Sequence, residues 1–254
     1  MDSNTALEYM LSRLRPHVED LKKIEEMVFS MKIGDTNFTI NFENRIKDYE
    51  KKKEIALLDE FCQKILTPHE KIAWSHAQEK IYWILESKEV ELGDVIKKDF
   101  SGKLFMVLAI VSKPDGGMVY VSKSMLKEWD KELSFVEEVA HTNLKAEIKK
   151  STLTELKTDY GSYWFFETPN TFLKASFILE NECLEKIKNQ IGSDVLFLAP
   201  NRDTLFILKQ GSAELLGRVA NVCYQNFLSV SYPLSTEYYG EKEGKITDLG
   251  IYGK

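Results

Sequence analysis

The feature that most constrains the fold of this 254-residue sequence is a nearly continuous apolar run at residues 103–112, which reads KLFMVLAIVS. A run of this kind is typical of a strand that is buried on both faces. Residues 113–117 (KPDGG) carry a strong turn signal, and residues 118–122 supply a return strand. The run therefore predicts a hairpin at the centre of a sheet.

A second hairpin and helix repeat this order later in the chain. Residues 134–149 begin with a capping box at Ser134 and continue with the spacing of an amphipathic helix. Residues 194–199 and 204–209 predict another hairpin, and residues 212–230 predict another long helix. The two hairpin-plus-helix units are either a structural duplication or the common theme of α+β folds.

The N-terminal part has mainly helical spacing. Residues 4–29 predict an amphipathic helix that Pro16 interrupts with a kink or a break near Arg15, and residues 43–66 predict another helix. Between them, alternation around Gly34 and Asp35 predicts a β-hairpin. A capping box at residues 67–70 predicts a short helix that ends near residue 78.

The predicted fold class is therefore α+β. Two β-hairpin-plus-helix units form a mixed or antiparallel sheet packed by helices, after a helical N-terminal region. Residues 1–80 are assigned to that helical region with its β-hairpin. Residues 81–254 are assigned to an α+β core with two related halves at about 100–150 and 190–254, and paired strands are expected at 153–166 and 236–249.

Composition excludes several classes of function. The formal charge is -6 because 40 acidic residues outnumber 34 basic ones, so nucleic acid is not an expected partner. No apolar run has the length of a membrane span, and the N-terminus lacks a signal-peptide pattern. Three separated cysteines (Cys62, Cys183 and Cys223) indicate buried thiols in a reducing compartment, so we expect a cytoplasmic protein without a membrane partner.

Catalytic signatures are missing from the sequence. His69 and Glu70 start like a zinc-protease motif, but Ala73 occupies the position of the second histidine. The sequence contains no GxSxG nucleophile motif and no glycine-rich phosphate loop. We therefore expect no metal site and no cofactor, and the sequence favours a protein that is not an enzyme.

Two groups of residues remain as candidates for binding. Asn201, Arg202 and Asp203 lie between two apolar strands, and Asn143 lies beside the apolar stripe of a helix. Each polar group has two interpretations: the turn is a structured connection or part of a small-molecule site, and Asn143 caps a neighbouring element or joins that site.

The aromatic run at residues 163–166 is the second candidate. Strand alternation would bury Trp164 and Phe166 and would expose Tyr163 and Phe165 as a surface for a partner. The alternative is a sheet that is covered on both faces.

Several short motifs, in order, resemble one family. They are the AHTNL helix motif at 140–144, AS at 175–176 with IL at 178–179, APNRD at 199–203 and PLS at 233–235, together with IGD at 33–35 and IN at 40–41. Their order resembles the YtpQ-like family of uncharacterised bacterial proteins (domain of unknown function 1444) from about residue 20 onward. The resemblance implies an α+β fold and a bacterial cytoplasmic location, and it carries no activity or catalytic residue.

The leading hypothesis for function is a non-catalytic protein-interaction module, whose partner is another protein or a further copy of the chain. The alternative is a small-molecule or nucleotide-binding protein with a polar pocket near Asn143 and the turn at 201–203. The two hypotheses differ in geometry, since the second requires those side chains to converge.

Overall fold

The computed structural model describes residues 2–24, 26–33, 36–66, 72–90, 92, 94–111, 118–211, 213–230 and 233–252. The chain divides into two units, Met1–Ile72 and Ala73–Lys254. Both contain helices and antiparallel strands, so the α+β class is confirmed. The boundary lies eight residues before the predicted one at residue 80. The turns predicted at 34–35 and 113–117 and the capping box predicted at 67–70 fall outside the described residues.

Within its described residues, the first unit contains three α-helices and a three-stranded antiparallel sheet. Its elements are α1 (Ser3–Leu14), β1 (Glu19–Lys23), β2 (Val28–Ile33), β3 (Thr36–Asn41), α2 (Glu43–Lys52) and α3 (Ala56–Leu66). The predicted hairpin of β2 and β3 is confirmed. This unit has its own apolar core, and its buried side chains include Leu11, Phe42 and Leu58.

The break predicted near Arg15 is confirmed, and two predicted helices of the first unit are wrong in extent. The helix expected at 4–29 ends at Leu14 and a short 3-10 turn, because Pro16 cannot donate a backbone hydrogen bond, and residues 19–23 pair with β2 as a strand instead of continuing the helix. The helix expected at 43–66 is divided at Lys53, whose φ of 59° is left-handed.

In the part of the second unit that the structure describes, a short helix comes first and the strands form two antiparallel sheets. Its elements are α4 (Trp74–Ala77), β4 (Ile81–Ser87), β5 (Lys97–Ser101), β6 (Leu104–Val111), β7 (Met118–Tyr120), α5 (Lys123–Trp129), α6 (Leu133–Lys150), β8 (Thr152–Thr158), β9 (Gly161–Glu167), α7 (Asn181–Gln190), β10 (Val195–Asn201), β11 (Thr204–Lys209), α8 (Ala213–Ser229), β12 (Glu237–Lys242) and β13 (Lys245–Ile251). Two 3-10 helices, Thr171–Leu173 and Ala175–Leu179, precede α7.

The apolar run at residues 103–112 forms a central strand over Leu104–Val111. β6 pairs with β4 on one side and with both β5 and β7 on the other, and seven of its eight residues are buried. The second sheet has the strand order β13-β12-β10-β11-β9-β8. The predicted hairpins at 153–166, 194–209 and 236–249 are all part of this six-stranded sheet.

Helices cover the six-stranded sheet on both faces. One face carries Phe166, Phe197 and Ile207 into a core shared with the four-stranded sheet, α6 and α7. The other face carries Leu198 and Leu208 against α8.

The start of α6 differs from its prediction. Glu132 precedes the first helical turn, which begins at Leu133, so Ser134 lies inside the helix and is not its cap. Val136 is buried, whereas Phe135 is 47% exposed. Among the described residues, no helix combines the length and apolar character needed to cross a bilayer.

Candidate functional site

The arginine of the predicted binding turn points into the protein. Arg202 and Glu86 are both buried and form an ion pair, and Tyr120 joins them. The Tyr120 hydroxyl donates to Oε2 of Glu86 at 2.6 Å and accepts from Nη2 of Arg202 at 2.8 Å. The three side chains tie the β10–β11 turn to β4 and β7, so Arg202 connects the two sheets.

The rest of this turn is also held by internal hydrogen bonds. Oδ1 of Asn201 accepts from the Asp203 amide at 2.9 Å, and the Arg202 carbonyl accepts from the Ala175 amide at 3.1 Å. The pKa of Asp203 is raised because nearby protein atoms desolvate its carboxyl group, which outweighs the attraction of Lys174 and Arg202. These contacts support the structured-turn interpretation.

Asn143 lies at the other end of β4. Its side-chain amide donates to the carbonyls of Gln78 and Ile81 at 2.8 and 2.9 Å, which is the capping role considered in the sequence analysis. Glu86, the partner of Arg202, is five residues farther along the strand, or about 16 Å at the usual rise. The structure therefore brings Asn201, Arg202 and Asp203 together and leaves Asn143 apart, so a pocket formed by all four has no geometric support.

A second buried carboxylate has a similar structural role near the C-terminus. Glu237 accepts from the Lys103 amide at 2.8 Å and from the Tyr239 hydroxyl at 2.7 Å. The Ser235 hydroxyl lies 3.3 Å from the same oxygen, and Gly102 packs directly against the carboxylate. This cluster holds β12 against the turn between β5 and β6.

A partly exposed histidine joins α6 to the start of α7. Nδ1 of His141 lies 2.5 Å from Oε1 of the buried Glu180, and Lys145, one turn along α6, pairs with Glu182 at 3.1 Å. A carboxylate on one ring nitrogen can orient an imidazole for proton transfer. Here the same contact also joins two packed helices.

The cysteines are buried, as expected. They lie on α3, α7 and α8. Burial raises the pKa of Cys62 to about 11 and that of Cys223 to about 12, and it raises the pKa of Cys183 further. Thiols with such pKa values stay protonated at neutral pH and are poor nucleophiles. The described part of the chain contains no cluster of three or more metal-ligating side chains.

A groove of about 330 Å³ lies in the first unit. Its lining combines carboxylates with apolar side chains: Ser3, Glu26, Met27, Val28, Glu43, Ile46, Lys47 and Glu50. Lys47 pairs with Glu43 at 2.8 Å, and Ser3 donates to Glu50, so several of its polar groups already bind one another.

The aromatic partner surface expected on β9 lies beneath a helix. Tyr163 is half-buried, packs edge-on against Phe206 at 5.5 Å between ring centroids, and belongs to the cluster under α8. Phe165, opposite Phe206 in the sheet, is also half-buried. The alternative of a sheet covered on both faces therefore describes this region better.

Most outer strands of the second unit have features that discourage pairing with another strand. On β4, Ser176 accepts the Leu85 amide at 2.9 Å. On β13, Ser101 accepts the Asp248 amide at 2.8 Å, and a register shift interrupts pairing with β12. β5 is short, carries two adjacent exposed lysines and has a register shift of its own. Such devices protect sheet edges in natural proteins.

The last five residues of β8 have no register shift and, among the described residues, no side chain bound to an outward amide, and their one exposed lysine lies two residues from an exposed glutamate. They are Thr154, Glu155, Leu156, Lys157 and Thr158. β8 pairs with β9 in unbroken register through all seven of its residues, and β8 is the last strand of the sheet. The final four are exposed, and neither charged side chain has an ion-pair partner within the described ranges. This segment, which we call the β8 edge, is the candidate interaction site.

The direction of the backbone groups follows from a contact at the start of β8. Nε2 of Gln190 donates to the carbonyl of Leu153 at 3.0 Å, so this carbonyl points away from β9. In an antiparallel ladder the direction alternates with each residue. The amides and carbonyls of Glu155 and Lys157 therefore also point outward.

Sequence reasoning predicted the strand and missed its importance. The pattern at 153–166 indicated a strand pair, and the partner surface was predicted on its aromatic half, at Tyr163 and Phe165. The available signal was Glu-Leu-Lys at 155–157, an apolar residue between opposite charges, beside the turn at 159–160. Nothing in that pattern says which of the two strands lies at the edge.

Comparison with known proteins gives no relative, because no family model, curated protein or solved structure matches the chain. The likeness to the YtpQ-like family stays a prediction.

Proposed function

We propose that the chain is a non-catalytic protein-interaction module that binds an extended protein segment along the β8 edge. The observation that supports this is the row of outward backbone groups at Glu155 and Lys157 on an exposed strand with regular register. Adding a strand to such an edge supplies main-chain hydrogen bonds, while side chains on alternate positions supply specificity.

The partners of the polar candidate residues favour an interaction module over a protein with a small-molecule pocket. Arg202, Glu86 and Asn143 all bind groups of the protein itself, at two separate ends of β4. Glu237 likewise binds its own chain. Asn143, Asn201 and Arg202, which suggested a small-molecule site, therefore have hydrogen-bond partners within the chain.

Site-specific photo-crosslinking in the cells that make the protein tests the proposal. A photoreactive amino acid replaces Leu156, and a matched control replaces Leu249 on β13, which has similar exposure (39% and 48%). We expect a protein adduct from position 156 that is absent from position 249. The adduct should disappear with Glu155→Pro, which removes one outward amide and leaves pairing with β9 in place.

The absence of any adduct from position 156 would overturn the proposal. So would an adduct that persists with Glu155→Pro, because such a contact would not depend on strand pairing.

A further inference from the structure

The charge pattern of the β8 edge is complementary to itself. When two such strands run antiparallel with Leu156 opposite Leu156, each Glu155 faces a Lys157 and each Thr154 faces a Thr158. We propose that the β8 edge binds the β8 edge of a second copy of the chain about a two-fold axis at Leu156. This inference rests on the proposed function and names its partner.

The backbone geometry fits this register. Glu155 and Lys157 have outward amides and carbonyls, so each Glu155–Lys157 pair between the two copies can exchange two hydrogen bonds. The Leu156 pair then lies between them as a non-hydrogen-bonded pair, in which side chains approach most closely. Residues whose backbone groups point outward in one copy therefore pair with residues whose backbone groups point outward in the other.

Neighbouring registers do not fit. A shift by one residue places Glu155 opposite Leu156, whose backbone groups point toward β9, so the hydrogen bonds cannot form. A shift by two places Glu155 opposite Glu155 or Lys157 opposite Lys157, and like charges directly opposite are destabilising. The centred register is the one that satisfies both charge and hydrogen bonding.

The side chains of the edge add a modest apolar contact. Leu156 is 39% exposed, and two copies would bury this surface against each other at the axis. Each chain contributes five strand residues, which is little for a stable interface. We therefore expect a dimer whose population depends on concentration and falls as salt screens the charge pairs.

Charge reversal tests the pairing without disturbing the fold, since both side chains are exposed. Lys157→Glu places glutamates opposite each other, and Glu155→Lys places lysines opposite each other. Each variant should therefore raise the dissociation constant of the dimer at least about tenfold. A mixture of the two variants should recover the dimer as a heterodimer, and the double swap should recover it within one protein. Sedimentation velocity over a range of concentrations measures this, with Lys245→Glu on β13 as the control for charge alone.

A cysteine at the axis tests the register. In the centred pairing the two Leu156 Cα atoms lie about 4.5 Å apart, within the range of a disulfide. Leu156→Cys should form a disulfide dimer under mild oxidation, and Leu249→Cys should not. The three native cysteines are buried and should stay out of the reaction.

Three results would overturn the self-pairing. They are a wild-type chain that stays monomeric at every concentration, a dimer that tolerates both single charge reversals, and a Leu156→Cys variant that fails to cross-link. If the chain is a monomer and position 156 still cross-links to another protein, the proposed function stands and only the second copy is excluded as the partner.

Discussion

β8 and β13 are the two outer strands of the same sheet, and each has seven residues. Both expose apolar side chains, Leu156 on one and Leu249 on the other. They differ in their backbone groups, because the Asp248 amide is bound by Ser101 and the pairing of β13 contains a register shift. The comparison teaches that exposed apolar area does not distinguish the two edges, whereas unbroken register and unbound outward hydrogen-bonding groups do.

The largest expected effect on stability comes from removing the carboxylate of Glu237, which lies on β12, the neighbour of β13. Glu237→Ala deletes the acceptor of the Lys103 amide and the Tyr239 hydroxyl in a buried site. Since hydrogen bonds to a charged group contribute most, we expect a loss of about 3 kcal/mol in the free energy of unfolding. Urea denaturation measures it, and Glu155→Ala on the β8 edge should change that free energy by less than about 0.5 kcal/mol. Equal effects at both positions would remove the contrast.

A smaller effect comes from the glycine beside that carboxylate. Gly102 has a φ of 50°, and a Cβ there would overlap the carboxylate of Glu237. Gly102→Ala should therefore destabilise the protein by about 2 to 3 kcal/mol.

Gly244 provides the matched control, because its φ is 76° and a Cβ there would meet no atom within 4 Å. Gly244→Ala should cost about 1 kcal/mol, from backbone strain alone. Thermal or urea unfolding of the two variants separates the strain from the close approach. If both cost the same, the contact with Glu237 does not constrain Gly102.

The smallest effect concerns the hydroxyl that covers the β13 edge. Ser101→Ala removes the acceptor of the Asp248 amide and should cost about 1 kcal/mol. Hydrogen exchange of the Asp248 amide should become faster. At low protein concentration the amides of Glu155 and Lys157 should already exchange rapidly, and this should not change. Slow exchange of these two amides in the monomer would contradict an open β8 edge.

Much of the second unit could be predicted because its signals are local. Alternating apolar residues and turn residues predicted the hairpins β8–β9, β10–β11 and β12–β13. β1 and β5 were missed because their sequences, EDLKK and KKDFS, are mostly charged and lack apolar alternation. Such strands exist because a neighbouring strand pairs with them, which is a tertiary effect.

The candidate site was harder to predict for a similar reason. The turn around Arg202 could be recognised from its residue types, but its partner Glu86 is 116 residues away in sequence. Whether a polar side chain points inward, and whether β8 or β9 is the outer strand, depends on contacts that local sequence patterns do not contain. Asn143, Asn201 and Arg202 bind groups within the chain, and their local sequence gives no sign of those partners.

The covered β13 edge limits how far assembly can proceed. Pairing of two copies through β8 would produce one continuous sheet with a β13 strand at each end. Because Ser101 and the register shift obstruct both of those ends, a third copy has no regular strand to extend. Growth would terminate at the pair, so a chain that uses an exposed strand for association would be protected from polymerising into fibrils.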